Sequence, residues 1–461
     1  MKPRNTSDRA NLKFAPCLAG AFAIGFPTQP FVLARSNLTM TAAVIALCVA
    51  LGAIRELVRK RGAQRREVPP TKSESPGSRR LRIVHVLSHT DATRGGAIQA
   101  LSLAREQQRA GHDVLVIANN RTNKKAIHPT FNSWMSGELP FRFVAMGASQ
   151  RVMLSPRPVL RLRRMLLNWN PDIVHVHRDR ALLYTLTANL GVKRWALVSQ
   201  RGTTRGFRHW LIARAHRSSR VVRIIAVAQA VKDALVAQGV ESRKIQVIYG
   251  SIDVNRFNPD HVDGGSVRAE LGVPEGTHIV AAIGELNPRK DPATYIEAFA
   301  RIMRVRDDVV FIHAGDAKTD RRRLFTRLGK ERCGDRLRFL GWRADVPALL
   351  AAADVVVNTS IADEGLTGVV REALAMERAV VCTRTDGNPE LVSDRMTGIL
   401  VPPREPEMLA SAVLELLANP AFRAQLGTAG RKRVLELMTL PARTRRVETL
   451  YRSVLAEGVV D

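Results

Sequence analysis

The stretch LRIVHVLSHTDATRGGAIQALSLAREQQRAGHDVLVIA, residues 81–118, determines the class of fold. It opens with a short apolar run, LRIVHVL (81–87), which is typical of a buried strand. After a polar loop, AIQALSLAREQQRAG (97–111) has the apolar spacing of a helix and ends on a glycine, a frequent helix terminator. HDVLVIA (112–118) is a second buried-strand pattern. Strand, helix and strand in this order predict a βαβ unit with parallel strands.

The same alternation extends to residue 402, in two series joined near residues 251–277. Strands that alternate with helices of this length predict parallel sheets covered on both faces. We therefore predict an α/β protein with two doubly wound, Rossmann-like domains that face each other across a ligand-binding cleft. The further strand candidates are residues 172–177, 196–200, 224–228 and 245–250 in the first series and 278–284, 308–315, 337–341, 354–360, 379–385 and 398–402 in the second.

These patterns divide the chain into four predicted parts. An N-terminal hydrophobic and basic segment with a polar linker covers residues 1–80. The two Rossmann-like domains are expected at 81–255 and 256–435. The remaining residues, 436–461, are expected to form a C-terminal helix that packs back toward the first domain.

The N-terminal segment contains a candidate membrane anchor, LTMTAAVIALCVALGAI (38–54). Its 17 uncharged residues are at the short limit for a membrane-spanning helix. Six Lys and Arg residues follow between positions 55 and 66, which by the positive-inside rule keeps the later domains in the cytoplasm. We therefore predict a location at the cytoplasmic face of the inner membrane. A peripheral amphipathic segment and a true start at Met40 remain alternatives, and no clear cleavage site supports a signal peptide.

The charge of the chain indicates anionic partners. Its 461 residues include 71 Lys plus Arg against 42 Asp plus Glu, a net charge of +29. Such a surface favours anionic lipid, acidic glycan or nucleotide, and a purely solubilising surface is the alternative. Aromatic residues are only 5% of the chain and no nucleic-acid recognition motif is present, so we do not expect a nucleic acid as partner.

Several familiar ligand motifs are missing from the sequence. No G-x-G-x-x-G follows the first strand pattern and no G-x-x-x-x-G-K-[ST] occurs, which argues against a nicotinamide enzyme and a P-loop ATPase. The four cysteines have no paired metal-ligand spacing. No D-x-D pair of the kind that holds a divalent ion on a diphosphate is evident, so we expect neither a metal nor another cofactor.

One short motif, EGLTGVVREALAME (364–377), carries two glutamates eight positions apart, Glu364 and Glu372. The pattern places Glu364 on a loop before a helix and Glu372 inside that helix, so both can flank a ligand lying across the helix start. The backbone amides of residues 365–368 would point toward an anion there. Taken alone, this spacing is more often an ordinary surface pair.

The motif does not stand alone. Together with RGGAIQALSLAREQQRAGHDVLVIAN (94–119), IIAVAQAVKDALVAQGVESRKIQVIYGSIDVNRFNP (224–259) and TDGNPELV (385–392), it resembles the retaining glycosyltransferases of family 4, which have the GT-B fold. The resemblance extends from about residue 81 to residue 456. It implies transfer of a sugar from a UDP- or GDP-linked donor, without a metal, to a membrane-associated glycan or lipid such as a lipopolysaccharide or other surface polysaccharide.

The resemblance also implies roles for individual residues. Residues 81–255 would bind the acceptor and 256–435 the donor. Two residues would be catalytic: Glu364, which contacts hydroxyls of the donor sugar, and Lys290, which reaches the diphosphate. The further donor-binding residues would be Glu372 on the ribose, Arg289 beside Lys290, the amides of Gly365, Leu366, Thr367 and Gly368 on the diphosphate, Asn388 on the loop facing the sugar, and Gly95 and Gly96 in a tight turn of the first domain.

Two departures from the family pattern bear on activity. Glu285 stands where the family commonly has a phosphate-binding arginine, so either Arg289 substitutes or the Glu285 side chain turns away. The family histidine that follows the 196–200 strand is replaced by QRGTTRG, and the nearby His175 and His177 are either substitutes or structural residues.

The acceptor is expected to be anionic. Residues 151–223 hold sixteen Lys or Arg and only two Asp, which suits a phosphorylated lipid or a lipid-linked glycan at a membrane surface. Two other functions stay open at this stage. One is a degenerate, non-catalytic GT-B partner protein, which Glu285 would favour, and the other is a nucleotide-sugar 2-epimerase.

Overall fold

The structure is a computed structural model, and it describes residues 79–89, 95–119, 142–147, 153–316 and 319–458. The candidate anchor at 38–54 lies outside the described residues. Of the helices in the described ranges, none combines the length and the apolar character that a membrane crossing requires.

The first half of the molecule is built on a seven-stranded parallel sheet with the order β3-β2-β1-β4-β5-β6-β7. Its strands are nearly continuous apolar runs because helices cover both faces. The short strand β3 was not predicted, since its four residues, RFVA, carry too weak a pattern. The strands are β1 Arg82–Leu87, β2 Asp113–Ala118, β3 Arg142–Ala145, β4 Ile173–His177, β5 Ala196–Arg201, β6 Arg223–Ala226 and β7 Ile245–Val247.

Five α-helices of the described residues accompany this sheet. The helix α2 shows how the sequence selects its buried face: Val159, Leu162 and Leu166 are fully buried in the core, while arginines occupy the exposed side. The helices are α1 Gly95–Arg109, α2 Pro156–Trp169, α3 Asp179–Ala188, α4 Trp210–Arg217 and α5 Gln229–Ala237.

The second half is built on a six-stranded parallel sheet with the order β10-β9-β8-β11-β12-β13. The two sheets confirm the predicted α/β class with two doubly wound units. The strands are β8 His278–Ile283, β9 Val309–Ala314, β10 Leu337–Gly341, β11 Val355–Asn358, β12 Ala379–Thr383 and β13 Ile399–Val401. The helices are α6 Gly265–Glu270, α7 Pro292–Ile302, α8 Thr319–Cys333, α9 Val346–Ala352, α10 Gly368–Ala375, α11 Asn388–Leu391, α12 Pro406–Ala418, α13 Pro420–Leu437 and α14 Leu440–Ala456.

The last helix, α14, returns to the first half. Its residues Val447, Leu450 and Tyr451 pack against Leu81 and Ile83 at the start of the first sheet. The chain thus crosses between the halves twice, and the two crossing segments, near Ile252 and near Met438, lie side by side. They are held together by hydrogen bonds from the Ile252 amide to the Met438 carbonyl (2.8 Å) and from the Leu440 amide to the Ile252 carbonyl (3.2 Å).

Candidate functional site

The candidate site lies where loops at the carboxyl ends of the two sheets meet. The loop after β5 contacts the loop between β11 and α10 through a hydrogen bond from the Thr203 hydroxyl to the Asp363 carbonyl (2.7 Å). Ligands of open parallel sheets bind at these strand ends, because the loops there carry the variable polar residues. The EGLTG motif is therefore located at the position where a ligand is expected.

Lys290 and Glu364, both predicted to be catalytic, form an ion pair with Nζ and Oε1 2.9 Å apart. Lys290 closes a short 3-10 turn after β8, Pro288–Lys290, in which the Asn287 side chain accepts a hydrogen bond from the Lys290 amide (3.2 Å). The Thr359 hydroxyl also donates to the Lys290 carbonyl (2.6 Å). The turn fixes the lysine backbone, and the side chain reaches Glu364 from there.

Two opposing effects determine the pKa of Glu364. Burial alone would raise this pKa, but the charge of Lys290 and its hydrogen bond outweigh burial, so the pKa lies below its ordinary value. Glu364 is therefore ionised at neutral pH. An ionised carboxylate can accept several hydrogen bonds from sugar hydroxyls.

Glu372 lies on α10, where Thr367 is the N-cap residue. Burial raises the pKa of Glu372, and the nearby Arg371, Arg256 and Lys290 offset this only in part. The side chain lines a small pocket between the halves, shared with Gln99 of α1. Its charged form is therefore costly until hydrogen-bond donors enter the pocket.

The backbone between Glu364 and α10 offers free hydrogen-bond donors. Within the described ranges, no residue accepts a hydrogen bond from the amides of Gly365, Leu366 or Thr367, and Gly368 opens the helix. Free amides at a helix start favour an anion because the partial positive charge of the helix is greatest there. The Leu366 side chain packs against the cores of both halves, so only its backbone faces a ligand.

Asn388 does not face the cleft with its side chain, contrary to prediction. It is fully buried, its Nδ2 donates to the Thr383 carbonyl (2.9 Å), and its Oδ1 accepts from the Thr367 hydroxyl (2.7 Å). A buried amide requires such partners, and all of these lie within the second half. Asn388 therefore holds the start of α10 in place and is not free to bind a donor.

Gly95 and Gly96 are also placed differently from the prediction. They begin helix α1 and do not form a separate tight turn, and neither has a positive φ. Gly96 lies against the guanidinium of Arg178, which would be 3.4 Å from an added Cβ. The apolar spacing that predicts this helix begins only at residue 97, so the sequence did not show that the helix includes both glycines.

Arg289 and Glu285 differ in their surroundings. Arg289 is half-buried and donates to the Asp363 carbonyl (3.2 Å), next to Glu364. Glu285 is exposed, and Lys290 pairs with Glu364 rather than with Glu285. The acidic residue therefore does not compete for the lysine.

His175 and His177 belong to a buried cluster with His85 on one face of the first sheet. Nδ1 of His85 lies 2.9 Å from Nε2 of His177, and Nδ1 of His175 lies 2.6 Å from the Tyr451 hydroxyl. Burial lowers the pKa of all three, with a further contribution from the buried Arg443. This neutral cluster is part of the core. Of the two roles that the sequence left open for His175 and His177, the structure therefore supports the structural one.

The same three histidines are the group in the described ranges with a metal-ligand arrangement. The positive charge of Arg443 beside them opposes a bound cation.

Three glycines that were not predicted as site residues lie at neighbouring strand ends of the second sheet. Gly284, Gly315 and Gly341 have φ values of 150°, 155° and 70° and are linked by hydrogen bonds from the Gly284 amide to the Ala314 carbonyl (2.9 Å) and from the Gly315 amide to the Gly341 carbonyl (2.7 Å). Together they form a surface without side chains at the end of β8, β9 and β10. A glycine at the last position of each of these three strand patterns was the available signal.

The two doubly wound sheets, with a lysine and free amides between their strand ends, define a protein of the GT-B class. Two family descriptions match the sequence: Glycosyltransferase Family 4 over residues 93–256 and Glycosyl transferases group 1 over residues 277–419. The chain belongs to this glycosyltransferase family, as the resemblance implied.

Curated relatives carry related activities. A D-inositol 3-phosphate glycosyltransferase of Segniliparus rotundus is 32% identical over 196 residues, which cover 41% of this chain and 43% of the relative. The lipopolysaccharide core biosynthesis glycosyltransferase LpsE of Rhizobium meliloti is 32% identical over 35% of this chain and 46% of the relative. The chain thus spans about half the length of these relatives. A phosphatidyl-myo-inositol mannosyltransferase of Mycobacterium leprae is 26% identical over 74% of this chain and 88% of its own length.

Solved structures agree in fold. HepE of Anabaena, in complex with UDP and glucose, superposes with a TM-score of 0.69 at 23% identity and covers 80% of this chain and 99% of its own. WaaG, a glycosyltransferase involved in lipopolysaccharide biosynthesis, gives a TM-score of 0.63 at 16% identity over 80% of this chain and 99% of its own. At these identities the similarity establishes the shared GT-B fold.

Proposed function

We propose that this protein is a retaining glycosyltransferase that moves a sugar from a UDP- or GDP-linked donor to a membrane-associated glycan or lipid acceptor. The observation that carries the proposal is the Lys290–Glu364 ion pair, 2.9 Å long, next to the free amides at the start of α10. This arrangement combines a cation and oriented amides for a diphosphate with a carboxylate for sugar hydroxyls.

Each part of the donor has a matching group. Lys290 and the amides of residues 365–368 stabilise the diphosphate, so no metal is required for charge neutralisation. Glu364 accepts hydrogen bonds from the sugar, and Glu372 accepts them from the ribose hydroxyls. We place the base against the glycine surface at the ends of β8–β10, where the backbone carries no side chains.

In the proposed reaction, the bond between the anomeric carbon and the diphosphate breaks while the acceptor oxygen bonds to the same face of the sugar. The acceptor proton passes to the departing phosphate, so no protein base is needed. Lys290 and the amides stabilise the growing negative charge on the leaving group. The protein contributes mainly by placing donor and acceptor.

The first half supports an anionic acceptor at a membrane surface. Arg157, Arg161 and Arg164 are exposed on one side of α2, and Arg214 and Arg217 are exposed on α4. The side chain of Trp210, at the start of α4, is 65% exposed. Basic side chains beside an exposed tryptophan are typical of contact with anionic lipid headgroups.

Donor turnover tests the proposal. The full chain is incubated with UDP-glucose, UDP-N-acetylglucosamine or GDP-mannose and a membrane-glycolipid extract, and NMR follows the donor and the anomeric configuration of the product. We expect one donor to be consumed with retention and Lys290→Ala to lose this activity, while the exposed control Glu275→Ala keeps it. Epimerised free donor would instead favour the epimerase, and an unchanged donor in every mixture would favour the non-catalytic partner.

A further inference from the structure

The loop after β5, residues 202–206, makes specific contacts with the second half. The Thr203 hydroxyl donates to the Asp363 carbonyl (2.7 Å), and the Thr204 hydroxyl donates to Oδ1 of Asp386 (3.0 Å). These two bonds place the 202–206 loop directly on the two segments that precede α10 and α11. Side chains of the first half thus reach the backbone next to Glu364.

Asp386 receives hydrogen bonds from both halves. Its Oδ1 accepts from Thr204 in the first half, and its Oδ2 accepts from the Glu364 amide (2.9 Å) in the second. Asp386 also has a φ of 47°, in the left-handed region that most residues avoid. One carboxylate therefore connects the 202–206 loop with the backbone of the residue that pairs with Lys290.

The backbones at this contact lie too close for any side chain between them. A Cβ added to Gly365 would lie 2.7 Å from the Gly202 carbonyl oxygen, and one added to Gly387 would lie 1.9 Å from the Gly365 carbonyl oxygen. The three backbone segments are therefore stacked directly on one another. A movement of the 202–206 loop cannot leave the Glu364 loop unaffected.

A second contact, four residues after Asp386, holds helix α5 of the first half. The Glu390 carboxylate accepts hydrogen bonds from the amides of Gln229 (2.7 Å) and Ala230 (2.9 Å) at the start of this helix. The carboxylate satisfies two free amides and is favoured by the helix dipole. Asp386 and Glu390, four residues apart, thus both bind the first half.

We propose that Asp386 is a positioning residue that couples docking of the 202–206 loop to the placement of Glu364. When the halves are together, Asp386 holds the Glu364 amide and the Lys290–Glu364 pair is assembled. When the 202–206 loop is released, one side of Asp386 loses its partner and the Glu364 loop becomes mobile. The catalytic consequence rests on the proposed transferase function, whereas the mechanical coupling does not.

Hydrogen exchange tests the coupling without substrate. The variant Thr204→Val removes only the hydroxyl, and the exposed Thr449→Val on α14 is the matched control. In the full-length, nucleotide-free protein we expect Thr204→Val to speed exchange in peptides covering residues 360–368 by about two- to tenfold, the effect of one lost hydrogen bond. Exchange that matches wild type there would overturn the proposal.

Substitutions at Asp386 supply the second readout. Asp386→Gly removes the carboxylate without backbone strain and should speed the same exchange and lower kcat, with little change in the KM for the donor. Asp386→Asn should retain most activity, because its oxygen can accept from Glu364 and its amide can donate to Thr204. If Asp386→Asn lowers kcat as much as Asp386→Gly does, the proposed hydrogen bonding of Asp386 is wrong. If wild type shows no turnover but exchange responds as expected, the transferase function fails and the coupling stands.

Discussion

Glu364 and Glu372 lie eight positions apart, yet their pKa values shift in opposite directions. Burial acts on both, but only Glu364 has a lysine within ion-pair distance, so its pKa falls while that of Glu372 rises. In the free protein the charge on Glu372 is therefore unfavourable. Ribose hydroxyls entering the pocket would donate hydrogen bonds to the Glu372 carboxylate and so offset the cost of its buried charge. The unfavourable charge is thus consistent with the proposed role in ribose binding.

Glu372→Gln should stabilise the free protein and weaken nucleotide binding. A carboxyl group with a raised folded-state pKa disfavours its charged form in the fold, so at pH 7 removing the charge raises Tm. The amide accepts fewer hydrogen bonds from a ribose, and we expect about a tenfold loss of affinity, roughly 1.4 kcal/mol. Differential scanning calorimetry and titration with UDP and GDP measure both quantities. A lower Tm combined with unchanged affinity would contradict this assignment.

At the scale of secondary structure, the strand-end glycines shape the proposed base surface. Gly315 is the most restricted, since an added Cβ would lie 1.8 Å from the Gly284 carbonyl oxygen. Gly272 also has a positive φ, 55°, but no atom lies within 4 Å of the Cβ position. The two positions therefore compare a strained but unobstructed glycine, Gly272, with a strained glycine, Gly315, whose Cβ position is also blocked.

Gly315→Ala should destabilise the protein far more than Gly272→Ala. At Gly272, in the left-handed helical region, the conformational cost is about 1–2 kcal/mol. Gly315 lies in a region of φ that is almost restricted to glycine, so its conformational cost is no smaller. At Gly315 the backbone of β8 must also move, which we expect to bring the loss in unfolding free energy to roughly 3 kcal/mol or more. Urea denaturation of both variants measures the difference, and equal losses would show that the close approach of the two strand ends is unimportant.

The sequence predicts buried strands well, because a parallel sheet covered on both faces needs apolar runs. It fails for β3, which is short, and for Gly95 and Gly96, whose helical role begins before the apolar spacing does. It also misplaces Asn388, since whether a side chain points into a cleft or into the core depends on contacts such as that with Thr367. The family resemblance assigned Lys290 and Glu364 to the donor site, but their ion pair was not predicted, because the sequence does not show a contact between residues 74 positions apart.

At the scale of the whole molecule, α14 and the first sheet enclose a group of uncharged histidines. Burial holds the pKa of His85 at about 4 and those of His175 and His177 well below the ordinary value. Arg443, which donates to the Gln200 side chain (3.0 Å), lies beside them. Protonation of the cluster would therefore place several positive charges in one buried space.

The protein should lose stability as pH falls from about 6.5 toward 4. In this range the histidines protonate in the unfolded chain but stay neutral in the fold, so acid favours unfolding; above 6.5 they contribute no pH dependence. His85 alone should account for a loss of about 3 kcal/mol in the free energy of unfolding over this pH range. Chemical denaturation at several pH values measures the loss, with the exposed His261→Gln as the control variant. A stability that stays constant down to pH 4 would exclude the buried neutral cluster.

Every role proposed for the cleft requires that a nucleotide binds at its Lys290–Glu364 end. Isothermal titration of the full chain with UDP and GDP, without added metal, tests this most directly. We predict that one nucleotide binds and that Lys290→Ala and Glu372→Ala each reduce its affinity about tenfold or more, while Glu275→Ala does not. Binding of neither nucleotide, or binding unaffected by both substitutions, would contradict the assignment of this cleft as a donor site.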